Sequence, residues 1–457
     1  MNPKKPRIGK TIAAVLGIGI ILVSAFLFFK PSLPGPEAPR IAVITDTHYL
    51  ASSLYDDGPL FRQMYEEGDG KNMEFLPALF DAFVYNLKNA PPDILILTGD
   101  LTFNGELDSH RELAGRLKTM EDLGIKVYVI PGNHDIQNPF ARRFSQNRAY
   151  STPQVSPEDF ARIYRGFGYA EAISRDAGSL SYVVQPFAGL RLFMLDSNIY
   201  QYNNALGMPV SEGEIKAASR AWLKTEAEAA KKAGCRLIAA MHHSLTEHNA
   251  VARQSWTVAD SPAIAELFAS LGINLVLTGH IHVQSIAQAP TPAGPVWDIA
   301  TSAFSVFPHE YGLLEWLPES AGWKYSLLPV EVEGYAKSQE KGADSFDERL
   351  LTFSAYGEAF FRGSSERMIR RRLAELEEPL TEAESALLID LVGTLNANFF
   401  AGRSGENPQE LLNSPGFEIL SRRLPGFLDH YIQSIRGGET SHQDREALIP
   451  DSGNPRD

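Results

Sequence analysis

Five short apolar runs, each followed at once by a polar cluster, limit most strongly what this chain can fold into. Ile41–Thr45 leads into Asp46-Thr47-His48, and Ile94–Thr98 into Gly99-Asp100. Val127–Ile130 precedes Gly132-Asn133-His134-Asp135, Arg236–Ala240 precedes His242-His243, and Asn274–Thr278 precedes Gly279-His280-Ile281-His282. Runs of this length, mostly aliphatic or β-branched, read as buried strands. Carboxylates, imidazoles and an amide at the ends of such strands are costly to desolvate without partners. In α/β sheets the carboxyl ends of the strands also form the crevice where ligands sit. The pattern therefore predicts a layered α/β fold whose five strand ends converge on one site, with cations satisfying the polar groups.

Spacing supports convergence. In an extended segment residues i and i+2 share a side, so Asp46 with His48, and His280 with His282, each offer two groups to one place. The glycines before Asp100, Asn133 and His280 allow a sharp exit from the sheet and close backbone approach. Asp46, His48, Asp100, Asn133, His242, His280 and His282 exceed the needs of one tetrahedral ion but suit two ions if one carboxylate bridges. Nitrogen and oxygen donors without thiolate favour manganese, iron or zinc. The single cysteine, Cys235, rules out a disulfide framework and a thiolate-built site.

Around these runs the chain alternates strand and helix patterns. Ser211 with Glu214 reads as a capping box for a helix to Lys232, and Ser261 as the N-cap of a helix Pro262–Ser270. Ser181–Gln185 and Leu190–Leu195 read as a hairpin turned at Ala188-Gly189. Residues 40–333 form the expected catalytic domain. Past Gly334 a polar linker over Lys337–Ser345 introduces a small all-helical domain, 334–457, with helices at Glu366–Leu376, after a Thr381–Glu384 cap, and around Pro408 and Pro415. From Gly437 onward the tail is polar and expected to be disordered. Arg367, Arg370, Arg371 and Arg372 read as a solvated helix face, and nothing in the sequence names a protein partner for this domain.

Residues 1–39 have a different character. Lys4, Lys5, Arg7 and Lys10 precede an uncharged apolar run, Thr11–Phe29, long enough to span a bilayer as a helix. The basic flank belongs in the cytoplasm, which puts the catalytic domain on the far side of the cell membrane as a single-pass protein. Cleavage near Val23-Ser24-Ala25, giving a secreted form, is the competing reading, although Phe26–Phe29 would carry the apolar stretch through the cut. The Pro-rich stretch Pro31–Pro39 reads as a stiff tether. A net charge of −14 argues against a nucleic-acid polymer as partner but not against a small anion held by metal ions.

Taken together, Asp46-x-His48, Gly99-Asp100, Gly132-Asn133-His134-Asp135, His242 and Gly279-His280-x-His282 resemble the signature of the calcineurin-like metallophosphoesterase superfamily. The resemblance covers about Ile41 to Leu317. It implies a β-sandwich flanked by helices with a dimetal site at the strand ends. Asp46, His48 and His282 would bind one metal, Asn133, His242 and His280 the other, and Asp100 would bridge. His134 would be the acid over the leaving group, with Asn133 and His134 facing substrate and Asp135 as an orienting partner. His243 would be a neighbour of the ligands and, with Arg142, a candidate substrate contact, unless a one-residue slip at the strand end reverses it with His242. Two such ions would lower the pKa of a bound water, and the hydroxide would attack phosphorus in line.

Within that superfamily, Asp100 through Glu106 and Asn138 through Phe144 look most like bacterial cyclic-nucleotide phosphodiesterases with an added helical domain. The expected substrate is a small phosphoester, a cyclic nucleotide or related phosphodiester. A phosphomonoesterase acting on nucleotide, lipid or envelope phosphates is the alternative, and an inactive scaffold the reading from another class. Arg142, Arg143, His248 and His309 fall in or near loops leaving the site; each could touch phosphate, but surface solvation is the ordinary role. Tyr55, Phe61 and Tyr65 read as a local hydrophobic cluster.

Overall fold

The computed structural model describes residues 38–249, 256–339, 347–404, 408–427, 432 and 444–451. In chain order the strands are β1 Arg40–Ile44, β2 Ile94–Leu97, β3 Lys126–Val129, β4 Arg142–Ser145 and β5 Arg148–Ser151. β6 Ser174–Arg175, β7 Tyr182–Phe187, β8 Leu190–Leu195, β9 Arg236–Met241 and β10 Leu275–Thr278 follow. β11 Ser285–Ala289, β12 Val296–Ala300, β13 Glu310–Leu317, β14 Gly322–Pro329 and β15 Glu446–Pro450 complete them.

Two mixed sheets form the body. One has the order β15-β14-β13-β1-β2-β3 and the other β11-β12-β10-β9-β8-β7-β6. β1, β2 and β3 run parallel in the first, and β8, β9, β10 and β12 run parallel in the second. The period of two in a strand decides what each sheet packs against. Leu192, Met194, Ile238, Ala240, Leu275 and Leu277 join the same core as the β1, β2 and β3 residues. Their alternates Phe193, Leu195, Leu237, Ala239 and Val276 join Leu223, Ala227, Ile264 and Phe268, which belong to the helices Ala217–Lys232 and Ser261–Ser270. The result is the expected sandwich with helices on its outer face. All five anticipated strands are present, and every one delivers its polar cluster at its carboxyl end.

Some local expectations shift. The helix ending at Lys232 begins at Ala217, not at a Ser211–Glu214 box: Glu214 N–H donates to the Ser197 carbonyl (2.8 Å), and Gly213 bridges both Asn198 and Val258. That backbone is committed to neighbouring loops and cannot start a helix. Asp260, with φ 55°, holds the N-cap position expected for Ser261 and makes no side-chain cap hydrogen bond. The hairpin turns as anticipated, with Gly189 at φ 77°. The 333/334 boundary falls inside the helix Val332–Gln339, which runs into the expected linker.

The C-terminal region is helical, built on Phe353–Ala374, Glu382–Phe400 and Pro415–Arg423. The first of these starts thirteen residues before the Glu366 expected for it. The Thr381–Glu384 capping box is present in both its hydrogen bonds, as anticipated. The region is not all-helical, however. β15 lies within the tail expected to be disordered and pairs antiparallel with β14, Trp323 opposite Ile449. Ile449, 1% exposed, is the apolar residue that draws it into the sheet. Among the described residues no helix is long and apolar enough to cross a membrane; the run Thr11–Phe29 lies outside them.

Candidate metal centre

The two sheets meet at their carboxyl ends, and there the chain bends sharply. Asp46, His48, Asp100, His280 and His282 all adopt positive φ, between 42° and 68°. Asp and His tolerate this left-handed region better than most residues, yet it still costs free energy, and such strain gathers at functional sites. Two glycines show why the turns are so tight. A Cβ on Gly132 would lie 2.1 Å from Asp100 N, and one on Gly279 would lie 2.0 Å from Thr45 Oγ1.

Seven side chains come together here. Ligating atoms of Asp46, His48, Asp100 and His282 lie within 4.8 Å of one another, as do those of Asp100, His242 and His280. Asp100 is common to both groups, and its two oxygens divide between them. Oδ2 is 3.7 Å from His48 Nε2, and Oδ1 is 3.5 Å from His242 Nε2. Asn133 joins the second group, its Oδ1 3.1 Å from His242 Nε2.

The donor set fits cations. Asp46 Oδ1 is buried without a hydrogen-bond partner, 3.3 Å from His282 Nε2. His48 Nε2 and His282 Nε2 face each other at 3.1 Å. Two lone pairs aimed at one point beside an orphaned carboxylate oxygen are what an ion would satisfy. Further hydrogen bonds aim the ligands, as at metal sites generally. His242 Nδ1 donates to the Thr98 carbonyl (2.9 Å), which leaves Nε2 for the site. Asp46 Oδ2 accepts from Thr45 Oγ1 (2.7 Å) and His280 N–H (2.9 Å).

The titration tendencies follow from the crowding. Burial pushes the Asp100 carboxyl up, but His242 and His134 outweigh it and hold it well below the usual range. Burial pulls His242 down, and Asp100 and Asp46 outweigh that, raising it to about 9. A cation would take the place of that proton. His280 is pushed down to about 3 by burial and by His242 beside it.

His134 stands beside the ligands with its side chain 29% exposed and Nε2 3.9 Å from Asp100 Oδ2. Its orienting partner is not Asp135. Nδ1 donates to the Phe103 carbonyl (2.8 Å) and lies 3.1 Å from Asn104 Oδ1. The Asp135 carboxylate turns away, accepting from Gly132, Leu101 and Thr102 N–H and from Thr102 Oγ1, so it braces the turn after Asp100. Asn104 lies within the stretch singled out in the sequence, but only contact geometry gives it this role. Lys71 also went unremarked in the sequence: it is 8% exposed, ion-paired with Asp69, and its charge helps depress both His48 and His134.

The remaining sequence candidates stand elsewhere. His243 is held by Ser197 Oγ at Nδ1 (2.8 Å) and the Ser211 carbonyl at Nε2 (3.1 Å), a neighbour of the ligands. Arg142 donates to the carbonyls of Pro139 and Ala141 on its own loop rather than toward the ligands. Arg143 is exposed and lies over the Tyr150 ring. His248 and His309 are not surface groups. The His248 side chain is 1% exposed, 3.1 Å from Asp298 Oδ2. His309 is 3% exposed and fixed by the Phe304 carbonyl and Asn72. Tyr55, Phe61 and Tyr65 form the expected local cluster, with their rings stacked.

The fold and site define an α/β phosphoesterase-type sandwich with a shared-carboxylate metal centre. Residues 39–284, more than half of the chain, match the Calcineurin-like phosphoesterase family, and the chain belongs to it. Residues 331–441 match the C-terminal domain of cyclic nucleotide phosphodiesterase. A cAMP/cGMP dual specificity phosphodiesterase from Mycobacterium tuberculosis is 24% identical over 262 residues, 56% of this chain and 66% of that protein. A probable cyclic nucleotide phosphodiesterase from Vesicomyosocius okutanii is 42% identical over 55 residues, 12% of this chain and 22% of that protein. The chain thus spans less than two thirds of these relatives' length. A dimetal phosphatase from Danio rerio overlays with a TM-score of 0.46 at 12% identity, covering 64% of this chain and 96% of that one.

Proposed function

We propose that this chain is a dimetal-dependent phosphoester hydrolase acting on phosphodiesters, cyclic nucleotides among them. The observation that carries the reading is Asp100, whose two carboxylate oxygens serve two separate groups of ligands. Asp46, His48 and His282 would hold one ion, Asn133, His242 and His280 the other, with Asp100 between them. Manganese, iron and zinc all suit that donor set. When bound, such a pair supplies Lewis acidity: it neutralises phosphoryl oxygens and acidifies water at the site.

The chain's own residues do the rest. Asn133 and His134 would face the phosphoryl group, His134 being the partly exposed one of the two. Because Nδ1 of His134 is spent on Phe103 and Asn104, Nε2 is the atom that would pass a proton to the departing oxygen. Burial depresses His134, and an anionic phosphate facing it would favour the protonated ring. Match to a cyclic nucleotide phosphodiesterase C-terminal domain and likeness to the mycobacterial enzyme support the diester preference.

The test is hydrolysis of bis-p-nitrophenyl phosphate and of cyclic AMP by the full-length chain, with manganese and with chelator. Manganese-dependent turnover of both, lost by about a thousand-fold or more in Asp100→Ala, is expected. Turnover that survives chelation or Asp100→Ala would refute the reading. The basic flank and the apolar run Thr11–Phe29 support a membrane-anchored enzyme with its site outside the cytoplasm. An N-terminal mass measured on membrane-purified protein separates this from a cleaved, secreted form.

A further inference from the structure

Trp256 has no part in the chemistry above. Among the described residues its side chain belongs to none of the hydrophobic clusters, and the residue is 37% exposed. Yet the indole centroid lies 4.9 Å from that of His280, one of the proposed ligands, with the rings inclined at 47°. Its backbone is fixed beside β9. The Trp256 carbonyl accepts from Ser244 N–H (3.1 Å), Val258 N–H donates back to Ser244 (3.0 Å), and Ala259 N–H donates to Gly213 (2.7 Å). An exposed tryptophan is thus held one imidazole away from the proposed metal centre.

We infer that Trp256 is the platform on which the nucleobase of a nucleoside phosphodiester stacks while its phosphate lies on the metal pair. This rests on the hydrolase reading and sharpens its substrate class. A base is a flat π-system one ribose away from its phosphate, and stacking on an aromatic side chain accepts any base because each offers a π-face. A sugar phosphate or glycerol phosphodiester has no such face to offer. A wall residue that merely shields His280 would affect every substrate alike, whereas a stacking platform acts only on those that carry a base.

Two readouts test this on the full-length chain. The first needs no turnover: binding of AMP and of ribose 5-phosphate to manganese-loaded protein, followed by calorimetry. AMP should bind about ten-fold more tightly, and Trp256→Ala should erase that margin while Trp256→Phe keeps most of it. The second is kcat/KM for cyclic AMP against a ribose cyclic phosphate without a base. Trp256→Ala should lower the first about ten-fold and leave the second unchanged. Equal affinity for AMP and ribose 5-phosphate in the parent, or equal losses on both substrates in the variant, would overturn the inference. Either result can occur while bis-p-nitrophenyl phosphate is still hydrolysed, so the inference can fail without the hydrolase reading. Absence of all manganese-dependent turnover would instead remove the reading beneath it.

Discussion

At the strand ends, Asp46 Oδ1 and His48 Nδ1 are buried with no hydrogen-bond partner, and five proposed ligands hold positive φ. In the C-terminal helices several polar groups are answered from within, although Arg367 Nε and Arg403 Nε are themselves buried without a partner. Thr381 and Glu384 cap each other's backbone, Arg362 reaches Asp390 and Thr394, and Arg370 reaches Glu366. An unanswered buried acceptor such as Asp46 Oδ1, turned toward His282 Nε2, calls for something from outside, and the proposed pair of ions would supply it. The two regions are joined by polar bonds, among them Arg367 to the Gly68 carbonyl and Arg445 to Glu310, and by aromatic contacts. Phe361 packs with Ala303, Val306 and Phe307, and Phe399 and Phe400 pack against Ile281 and Val283. The 303–307 loop in turn holds the backbone of the ligands: Ala303 N–H donates to the His282 carbonyl (3.2 Å), and Ser305 Oγ to the Asp46 carbonyl (2.7 Å).

The largest test of this division breaks the joint. Phe361 is 3% exposed, and its ring stands 4.7 Å from Phe400 and 5.9 Å from Phe307. Phe361→Ala should cost about 3–5 kcal/mol in denaturant unfolding, the usual penalty for an emptied aromatic site. It should also weaken manganese affinity, because the loop steadying Asp46 and His282 loses its support. Unchanged manganese affinity would mean that the C-terminal helices are an independent appendage.

How much of this division could be read from the sequence depends on range. The five strand ends were legible because strand, glycine and ligand lie within a few residues of one another. The Thr381 capping box was legible for the same reason. What failed was non-local. Asp135 adjoins His134 in sequence, but its carboxylate is drawn to backbone N–H groups at Leu101 and Thr102, while Asn104, thirty residues from His134, supplies the contact. β15 is a short polar-flanked segment whose strand character comes from its partner β14. His309 looked like a surface histidine because nothing local shows that Phe353 would cover it, 5.2 Å away.

His309 gives the second test, since it lies at the joint. Burial pushes it from the ordinary 6.5 down to about 4, so it stays neutral in the folded chain. The unfolded chain takes up its proton as pH falls below 6.5, and the folded one does so only near 4. Stability from this group is therefore fully present above the unfolded value and lost as pH falls through that window, by about 3 kcal/mol. His309→Gln should flatten this part of the stability curve in urea titrations between those pH values. An unchanged slope would show that the histidine titrates freely and that the joint is open to water.

A smaller effect probes the catalytic side alone. Asn104→Ala removes one of the two groups that hold His134 Nδ1, the Phe103 carbonyl remaining. A positioning role predicts a fall in kcat of about 10- to 100-fold with KM little changed. The alkaline limb of the pH–rate profile should move as well, because the ring's protonation is less well controlled. A change in KM alone would make Asn104 a substrate contact instead.

The smallest effect is the most selective. Thr381→Ala deletes the hydroxyl that accepts from Glu384 N–H at 3.2 Å and donates to the Glu384 carboxylate at 2.9 Å, while the return bond from the residue 381 backbone N–H at 3.0 Å remains possible. Loss of such a cap costs about 1 kcal/mol. The helix it opens, Glu382–Phe400, ends at the two phenylalanines that touch Ile281 and Val283. Fraying at the capped end is separated from those contacts by the length of the helix, and helix-end effects fade within a turn. The expected outcome is therefore a lower unfolding midpoint with manganese affinity and turnover unchanged. If a cap at the far end of this helix alters metal binding, the helix transmits strain along its length, and the C-terminal region is a regulator of the metal centre and not simply its support.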